Sequence, residues 1–399
     1  TRLFKIDAYF CNKAMHMKSF FSSEFKLGVL GGGQLGKMLL AETQKFDVYT
    51  CVLDPSLEAP CAAHCNEFHL GDLSDFDAVY AFGKKVDVLT IEIEQVNISA
   101  LYKLEAEGVK VYPQPHVIER IQHKGVQKDF YLQNDIPTSP HQRFSSLKEV
   151  KEADLSLPFV WKSAQFGYDG TGVKIVRTLE DLQALEDTES IVEDLVPFKN
   201  ELAVIVARNA SGAIKTYPVV EMEFHPEANQ VEYVLCPARI SKEVADKAIQ
   251  VALKVANTYK HVGLLAVEMF QTEADEILVN EVAPRTHNSG HYSIEAAMTN
   301  QFEQHLRTVL NLPLGNTQSK LAGIMVNLVG AAGHEGPVVY KNMNEILEME
   351  GVTPHIYGKK QTRPFRKMGH VTIVAQDMKV ARKVAEKVKN TIEVVSAEH

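Results

Sequence analysis

Cysteine is scarce in this chain, with five residues in 399, at positions 11, 51, 61, 65 and 236. So small, odd and scattered a set does not suggest a disulfide framework and suits a reducing compartment. Cys61-Ala-Ala-His-Cys65, with Cys51 as a further ligand, can be drawn as a zinc fragment, but no second Cys/His pair is spaced to close a four-ligand site. Basic charge is also short. Lys and Arg number 42 against 51 Asp and Glu, a net charge of −9, which argues against a nucleic-acid partner because duplex binding depends on neutralising phosphates. A small anionic substrate held by a local basic cluster is still compatible. No apolar run approaches the roughly 20 residues of a spanning helix; the longest, Leu321 to Gly333, is interrupted by Asn327. Thr1 to Glu24 carries lysines and aromatics without the continuous apolar core of a secretory signal. It reads as an N-terminal extension, native or appended, with Met15 or Met17 as candidate starts. These absences leave a cytoplasmic globular protein, too long for one core, of about two to three domains.

From Phe25 the pattern runs strand (Lys26 to Leu30), glycine loop (Gly31 to Gly36), helix (Lys37 to Lys45), strand (Val48 to Leu53). Asp87 to Ile93 and Val109 to Tyr112 add strands, which predicts a doubly wound α/β unit ending near Pro115. One helix is predicted over Val117 to Gln133, then short β-branched strands at 158–163, 173–176, 191–195, 202–208, 214–222 and 231–235. Ser241 caps a predicted helix to Lys260 with an apolar stripe at Val244, Ala248, Val251 and Val255. A last region opens with a strand at Ala322 to Val329 and closes with a helix at Lys379 to Asn390.

The most informative stretch lies between these regions. Gly263 to Phe270 and Ile277 to Ala283 flank a polar turn and read as a β-hairpin. A turn centred between Ala274 and Asp275 sets Glu268 opposite Glu281, on one face roughly 4.5–5.5 Å apart, where like charges repel unless compensated. A hard divalent cation on nucleotide phosphates is the natural compensation; a register off by one residue, with two solvated glutamates, is the alternative.

Two glycine loops add to this. Gly31-Gly-Gly33-Gln34-Leu35-Gly36 satisfies G-x-G-x-x-G, with Asp54 closing the next strand 18 residues on. That pattern fits a dinucleotide fingerprint, or a loop offering its N–H groups to a substrate phosphate. Gly167-Tyr-Asp-Gly170-Thr-Gly172 lies between two strands, after Lys162, and reads as a mobile phosphate flap or a tight hairpin. Lys359 to His370 concentrates cationic side chains and reads as a solvated face or a phosphate clamp.

In their order and spacing, GGGQLGKML, GYDGTG, VNEVAPRTHNSGH and RPFRKMGHV resemble the ATP-grasp superfamily, and within it the N5-carboxyaminoimidazole ribonucleotide synthetase family of purine biosynthesis. The likeness runs from about Lys26 to near Asn390. It implies an α/β ATP-grasp fold, with a Rossmann-like doubly wound domain at 25–123, the ATP-grasp domain and its flap at 124–318, and a small C-terminal domain at 319–399.

By the same resemblance, ATP is bound by Arg120, Lys162, the flap residues Gly167, Tyr168, Asp169, Gly170, Thr171 and Gly172, by Glu193, Asp194, Leu195, Val196 and Glu201, and by Asn280 and Glu281. Glu193 and its neighbours would line the adenine and ribose pocket. Glu268 and Glu281 would hold Mg²⁺, with Mn²⁺ as the alternative. Substrate contacts map to Gly33, Gln34, Leu35, Glu94, Tyr168, Asp169, Arg285, His287 and Asn288, with Lys359 and Arg366 on the ribotide phosphate. Lys162, Asp169 and Arg285 are the catalytic candidates.

The implied reaction carboxylates 5-aminoimidazole ribonucleotide with bicarbonate and ATP, through carboxyphosphate, and the implied assembly is a homodimer. Two positions depart from the family pattern. Thr171 stands where Arg or Lys is usual, with Lys174 as a candidate substitute, and Phe224, beside His225, stands where the family has a pocket histidine. Rival readings are another ATP-grasp ligase, such as a formate-dependent glycinamide ribonucleotide transformylase or a biotin carboxylase, an NAD-binding dehydrogenase, and an ATP sensor without turnover.

Overall fold

The computed structural model describes residues 20–165, 172–225 and 230–397. The flap positions Gly167, Tyr168, Asp169, Gly170 and Thr171 lie outside the described residues. The first unit is a parallel sheet of β1 (Lys26–Leu30), β2 (Tyr49–Asp54), β3 (Glu67–Leu70), β4 (Val88–Ile91) and β5 (Lys110–Val111), in the order β3-β2-β1-β4-β5. This is the doubly wound arrangement read from the sequence. Its central strands are near-continuous apolar runs because helices cover both faces. On one face Leu53, Leu89 and Ile91 pack against Val79, Phe82 and Leu104. On the other, Leu27, Val29 and Val52 meet Leu39 and Leu40 together with Phe302, Leu306 and Val309. The last three belong to the helix Gln301–Val309, far along the chain, so the second face is completed by the next domain. Sequence reading missed β3, whose Glu-Phe-His-Leu is a polar edge with little apolar signal.

The helix expected over 117–133 is two helices, Pro115–Gln122 and Lys124–Gln133. His123 breaks it, in an extended conformation (φ −124°, ψ 107°), and its ring Nδ1 accepts from the Val126 N–H at 3.3 Å. The chain then builds an antiparallel sheet of β6 (His141–Phe144), β7 (Phe159–Ser163), β8 (Val173–Val176) and β9 (Ser190–Asp194), ordered β6-β9-β7-β8 around the buried Trp161.

A long antiparallel sheet follows from β10 (Phe198–Arg208), β11 (Ile214–Thr216), β12 (Val220–Phe224), β13 (Val231–Cys236), β14 (Gly263–Thr272), β15 (Ile277–Ala283) and β16 (Ala322–Val329). The single strand expected over 214–222 is split into β11 and β12, with Pro218 between them; proline has no N–H for a ladder. β17 (Gly336–Lys341), β18 (Val352–Ile356), β19 (Gln361–Thr362), β20 (Lys367–Ala375) and β21 (Glu393–Ser396) complete the fold. The long sheet runs β15-β14-β10-β12-β13-β16-β20-β18, with β11 beside β10. Because β13 pairs β16 (Tyr233↔Val326), the sheet continues across the division drawn at 318/319. The helix Lys242–Tyr259, capped by Ser241, lays Val244, Ala248, Ala252, Val255 and Ala256 on this sheet.

The first domain is also tied to the long sheet by a polar contact. His305, on the helix Gln301–Val309, sets Nε2 2.9 Å from the Thr90 hydroxyl of β4. Burial holds His305 at about 4, helped by the neighbouring His261, itself held at about 4 by burial. An unfolded histidine takes a proton near pH 6.5, whereas these folded rings refuse it down to about pH 4. Stability is therefore complete above pH 6.5 and is lost as pH falls toward 4, at about 1.4 kcal/mol per pH unit per ring. Urea midpoints between pH 7 and pH 5 should fall accordingly, and His305→Asn should flatten the slope; an unchanged slope would show that the ring titrates freely in the fold.

Candidate active site

The hairpin forms as expected, and Glu268 pairs with Glu281. The route to that pairing differs from a regular turn. Near the turn the register is Gln271↔Ile277, Phe270↔Leu278 and Met269↔Val279, which if continued would set Glu268 opposite Asn280. A β-bulge at this point moves the register by one residue, so both Asn280 and Glu281 face the site. Re-aiming side chains in this way is a common role of bulges next to functional sites.

A lysine and a histidine flank the paired carboxylates. Lys124 Nζ donates to Glu281 Oε2 at 2.7 Å, and its charge is the main reason the Glu281 carboxyl is held at about 2. His287 Nδ1 accepts from the Ser289 N–H at 3.2 Å, leaving Nε2 to face Glu268 Oε1 at 3.1 Å. Burial, followed by the charge of Glu268, pushes nearby Glu201 up to about 8.

Behind them lies a second charge cluster. Glu193 Oε2 takes Lys162 Nζ at 3.2 Å and the Ser139 hydroxyl at 2.9 Å, while Oε1 lies 3.3 Å from Lys128 Nζ. Burial opposes ionisation of Glu193, but Lys162 and Lys128 outweigh it and hold the group at about 2. Burial in turn lowers Lys128 to about 8. Lys162 also donates to Asn280 Oδ1 at 2.9 Å, which links the small sheet to the bulge.

The hairpin carboxylates open onto a cleft of about 590 Å³, whose lining includes Glu268, Glu281, Lys124, Gly33, Gln34, Leu35, Glu94, Arg285, His287, Asn288, Lys359 and Lys367. Arg285 Nε pairs with Glu94 Oε1 at 2.8 Å. The C-terminal region is held beneath by stacked imidazoles: His370 lies between His291 (4.6 Å) and His355 (4.5 Å). Tyr357 Oη is 3.1 Å from His370 Nδ1, and Lys359 Nζ lies 5.7 Å from the Tyr357 ring.

The first glycine loop decides against a dinucleotide. Asp54 Oδ2 accepts from the Gly32 N–H at 2.8 Å and Oδ1 from the Ser56 N–H at 2.8 Å, so it braces the loop. Glu92 Oε1 accepts from the Leu35 N–H at 3.1 Å, at the helix end where a pyrophosphate would sit. A Cβ at Gly33 would come within 2.5 Å of that oxygen. Glycine here makes room for the protein's own carboxylate, which burial raises to about 7.

Comparison with known proteins settles the family. Residues 25–122 match the ribonucleotide synthetase preATP-grasp domain, 129–302 the ATP-grasp domain, and 323–384 the phosphoribosylaminoimidazole carboxylase C-terminal domain. The N5-carboxyaminoimidazole ribonucleotide synthase of Synechococcus elongatus is 36% identical over 87% of this chain and 89% of its own length. The chain belongs to the N5-carboxyaminoimidazole ribonucleotide synthase family of ATP-grasp ligases. The Thermotoga maritima synthetase superimposes with a TM-score of 0.86 at 40% identity, covering 94% of this chain and all of that one. The Aspergillus clavatus synthase, solved with ADP and 5-aminoimidazole ribonucleotide, gives 0.84 at 32% identity over 92% and 98% of the two chains. The phosphoribosylaminoimidazole carboxylase of Vigna aconitifolia chloroplasts is 37% identical over 89% of this chain, which spans 65% of that longer protein.

Several of the expected residues have partners that the sequence did not show. The Glu193 side chain turns inward to the lysines; Asp194 ends β9, and Leu195 and Val196 follow it. Lys174 does not replace the missing flap cation, because it pairs with Trp161 and so shares the face opposite Lys162, donating to Ala184 O at 3.0 Å. Arg366 donates to Gln361 O at 2.6 Å, and Lys367 lines the cleft in its place. Arg120 lies over the Phe130 ring at 4.7 Å. Glu201 and Phe224 line a smaller adjoining recess, and Phe224 reaches the main cleft as well. Sequence reading missed Lys124, Lys128, Ser139 and Glu92. Lys124 and Lys128, four residues apart in one helix beside the buried Tyr131, carried a detectable signal, namely lysines on an inward helix face.

Glu193→Gln leaves the ammonium groups of Lys128 and Lys162 facing one another in the interior. We expect it to cost about 3–5 kcal/mol of stability, and adding Lys128→Met to recover part of that loss. Urea unfolding of the single and double variants measures both; additive losses would show that the three charges are not coupled.

Proposed function

We propose that this protein carboxylates 5-aminoimidazole ribonucleotide to N5-carboxyaminoimidazole ribonucleotide with ATP and bicarbonate, releasing ADP and phosphate. The observation that carries the reading is the single cleft shared by the hairpin carboxylates and by Arg285, His287, Asn288 and Lys359. One end suits a metal-bound triphosphate, and the other suits a ribotide.

Glu268 and Glu281 offer hard oxygen donors on one sheet face, a donor set that fits Mg²⁺; bound there, the ion would neutralise phosphate oxygens. Lys162, held by Glu193 and Asn280, places a fixed positive charge where phosphate charge develops. A bicarbonate oxygen attacks the γ-phosphorus as the bond to ADP breaks, giving carboxyphosphate. That intermediate splits into phosphate and CO₂, and the substrate amine adds to the CO₂ carbon and loses its proton. Arg285, fixed by Glu94, is suited to steadying the anionic species between the two substrates. No nucleophilic side chain is needed. On the family likeness and the free thiols Cys51, Cys61, Cys65 and Cys236, we extend the proposal to a cytoplasmic homodimer; a sedimentation mass of one chain would exclude the dimer.

ADP release should require both 5-aminoimidazole ribonucleotide and bicarbonate. Glu281→Gln should lower kcat by about 100-fold or more while leaving the fold intact by circular dichroism. Turnover supported by glycinamide ribonucleotide and formate instead would overturn the assignment, and near wild-type turnover in Glu281→Gln would remove that residue from the metal site.

A further inference from the structure

A second cluster of metal-ligating side chains lies in the first domain, on β2 and the edge strand β3, away from the glycine loop at the other ends of the strands. Cys51 and Glu67 are cross-strand partners, and His69, two residues further along β3, shares their face. The thiol, a carboxylate oxygen and an imidazole nitrogen all lie within 4.8 Å of one another, and this is the one such group of three among the described residues. The zinc fragment drawn from the sequence does not assemble, since Cys61 is buried with Sγ 3.6 Å from Gly33 O beneath the glycine loop. Of that fragment, Cys51 alone joins the cluster.

We propose that Cys51, Glu67 and His69 bind one thiophilic divalent transition metal, with Zn²⁺ the best match.

Each ligand is held for the role. Lys26 Nζ (2.5 Å) and Tyr49 Oη (2.9 Å) both bond Glu67 Oε1, which leaves Oε2 turned toward His69 Nε2 at 3.4 Å. Outer partners that orient a ligating carboxylate in this way are a regular feature of metal sites. His69 Nε2 is buried and faces Glu67 Oε2, and its ring is fixed edge-on to Phe82 at 5.3 Å. Lys85 Nζ lies 3.4 Å from Nδ1; for Nε2 to ligate, the ring proton moves to Nδ1 and the exposed Lys85 ammonium swings aside. Cys51 is fully buried. A sulfur, nitrogen and oxygen set favours zinc-like ions over Mg²⁺ or Ca²⁺. Tetrahedral ligands at zinc bond lengths lie about 3.5 Å apart, so closure needs movements of about 1 Å. With three protein ligands the fourth position falls to water, as in open zinc sites. The bound ion would cross-link the edge strand β3 to β2.

The test is a Co²⁺ titration of the full-length, metal-stripped protein, read by absorbance. One equivalent should produce a near-ultraviolet thiolate-to-cobalt band with the visible bands of a four-coordinate ion, and Zn²⁺ should abolish both. Cys51→Ala and His69→Gln should each weaken binding at least about tenfold, and Cys65→Ser should leave it unchanged. His69→Gln lies nearer the surface and reports even if Cys51→Ala does not fold. No charge-transfer band at millimolar Co²⁺, or a band that survives Cys51→Ala, would overturn the proposal. Because binding is read without substrates, the outcome is independent of the carboxylation assay.

Discussion

Two carboxylates held opposite each other on one sheet face repel, and the rest of this site is arranged around that repulsion. Lys124 and His287 face Glu281 and Glu268 directly. Lys162 and Lys128 converge one layer behind, on Glu193. These partners come from separate places in the chain: a helix N-terminus, the interior of the same helix, a strand of the small sheet and the loop after the hairpin. The charges therefore bring the small sheet, the long sheet and the connecting helix to one point. Glu193, Lys162 and Lys128 lie in the dry interior, where such charges are stable only as a set, which makes the cluster a constraint on folding as well as the backing of a binding surface.

The same economy governs the first domain's contribution. Its glycine loop looks built for a cofactor pyrophosphate, yet the helix end is occupied by Glu92 and the loop is braced by Asp54. What it presents to the cleft is the backbone and side chains of Gly33, Gln34 and Leu35 beside Glu94. The C-terminal region supplies Lys359 and Lys367 to the opposite wall. It is fixed there by a shared sheet and by the stack of His291, His370 and His355. Burial holds His291 and His370 well below the ordinary histidine range, so these two rings stack as neutral groups instead of like charges.

Much of this was legible in the chain itself. The parallel α/β unit, the helix capped by Ser241, the strand Ala322–Val329 and the hairpin all follow from apolar periodicity and capping residues, which act over a few neighbouring positions. The motifs GGGQLGKML and VNEVAPRTHNSGH pointed to the right family because each packs several site residues into one short segment.

What the sequence by itself determined was therefore local: element types, the candidate carboxylates and the loop that follows them. Only the tertiary structure decided which of these face one another. The inward turn of Glu193, the burial of Lys128 and the bracing role of Asp54 all depend on partners tens of residues away. A side chain's protonation and direction are set by the charges and burial around it in space, and nothing in its immediate sequence neighbourhood encodes those.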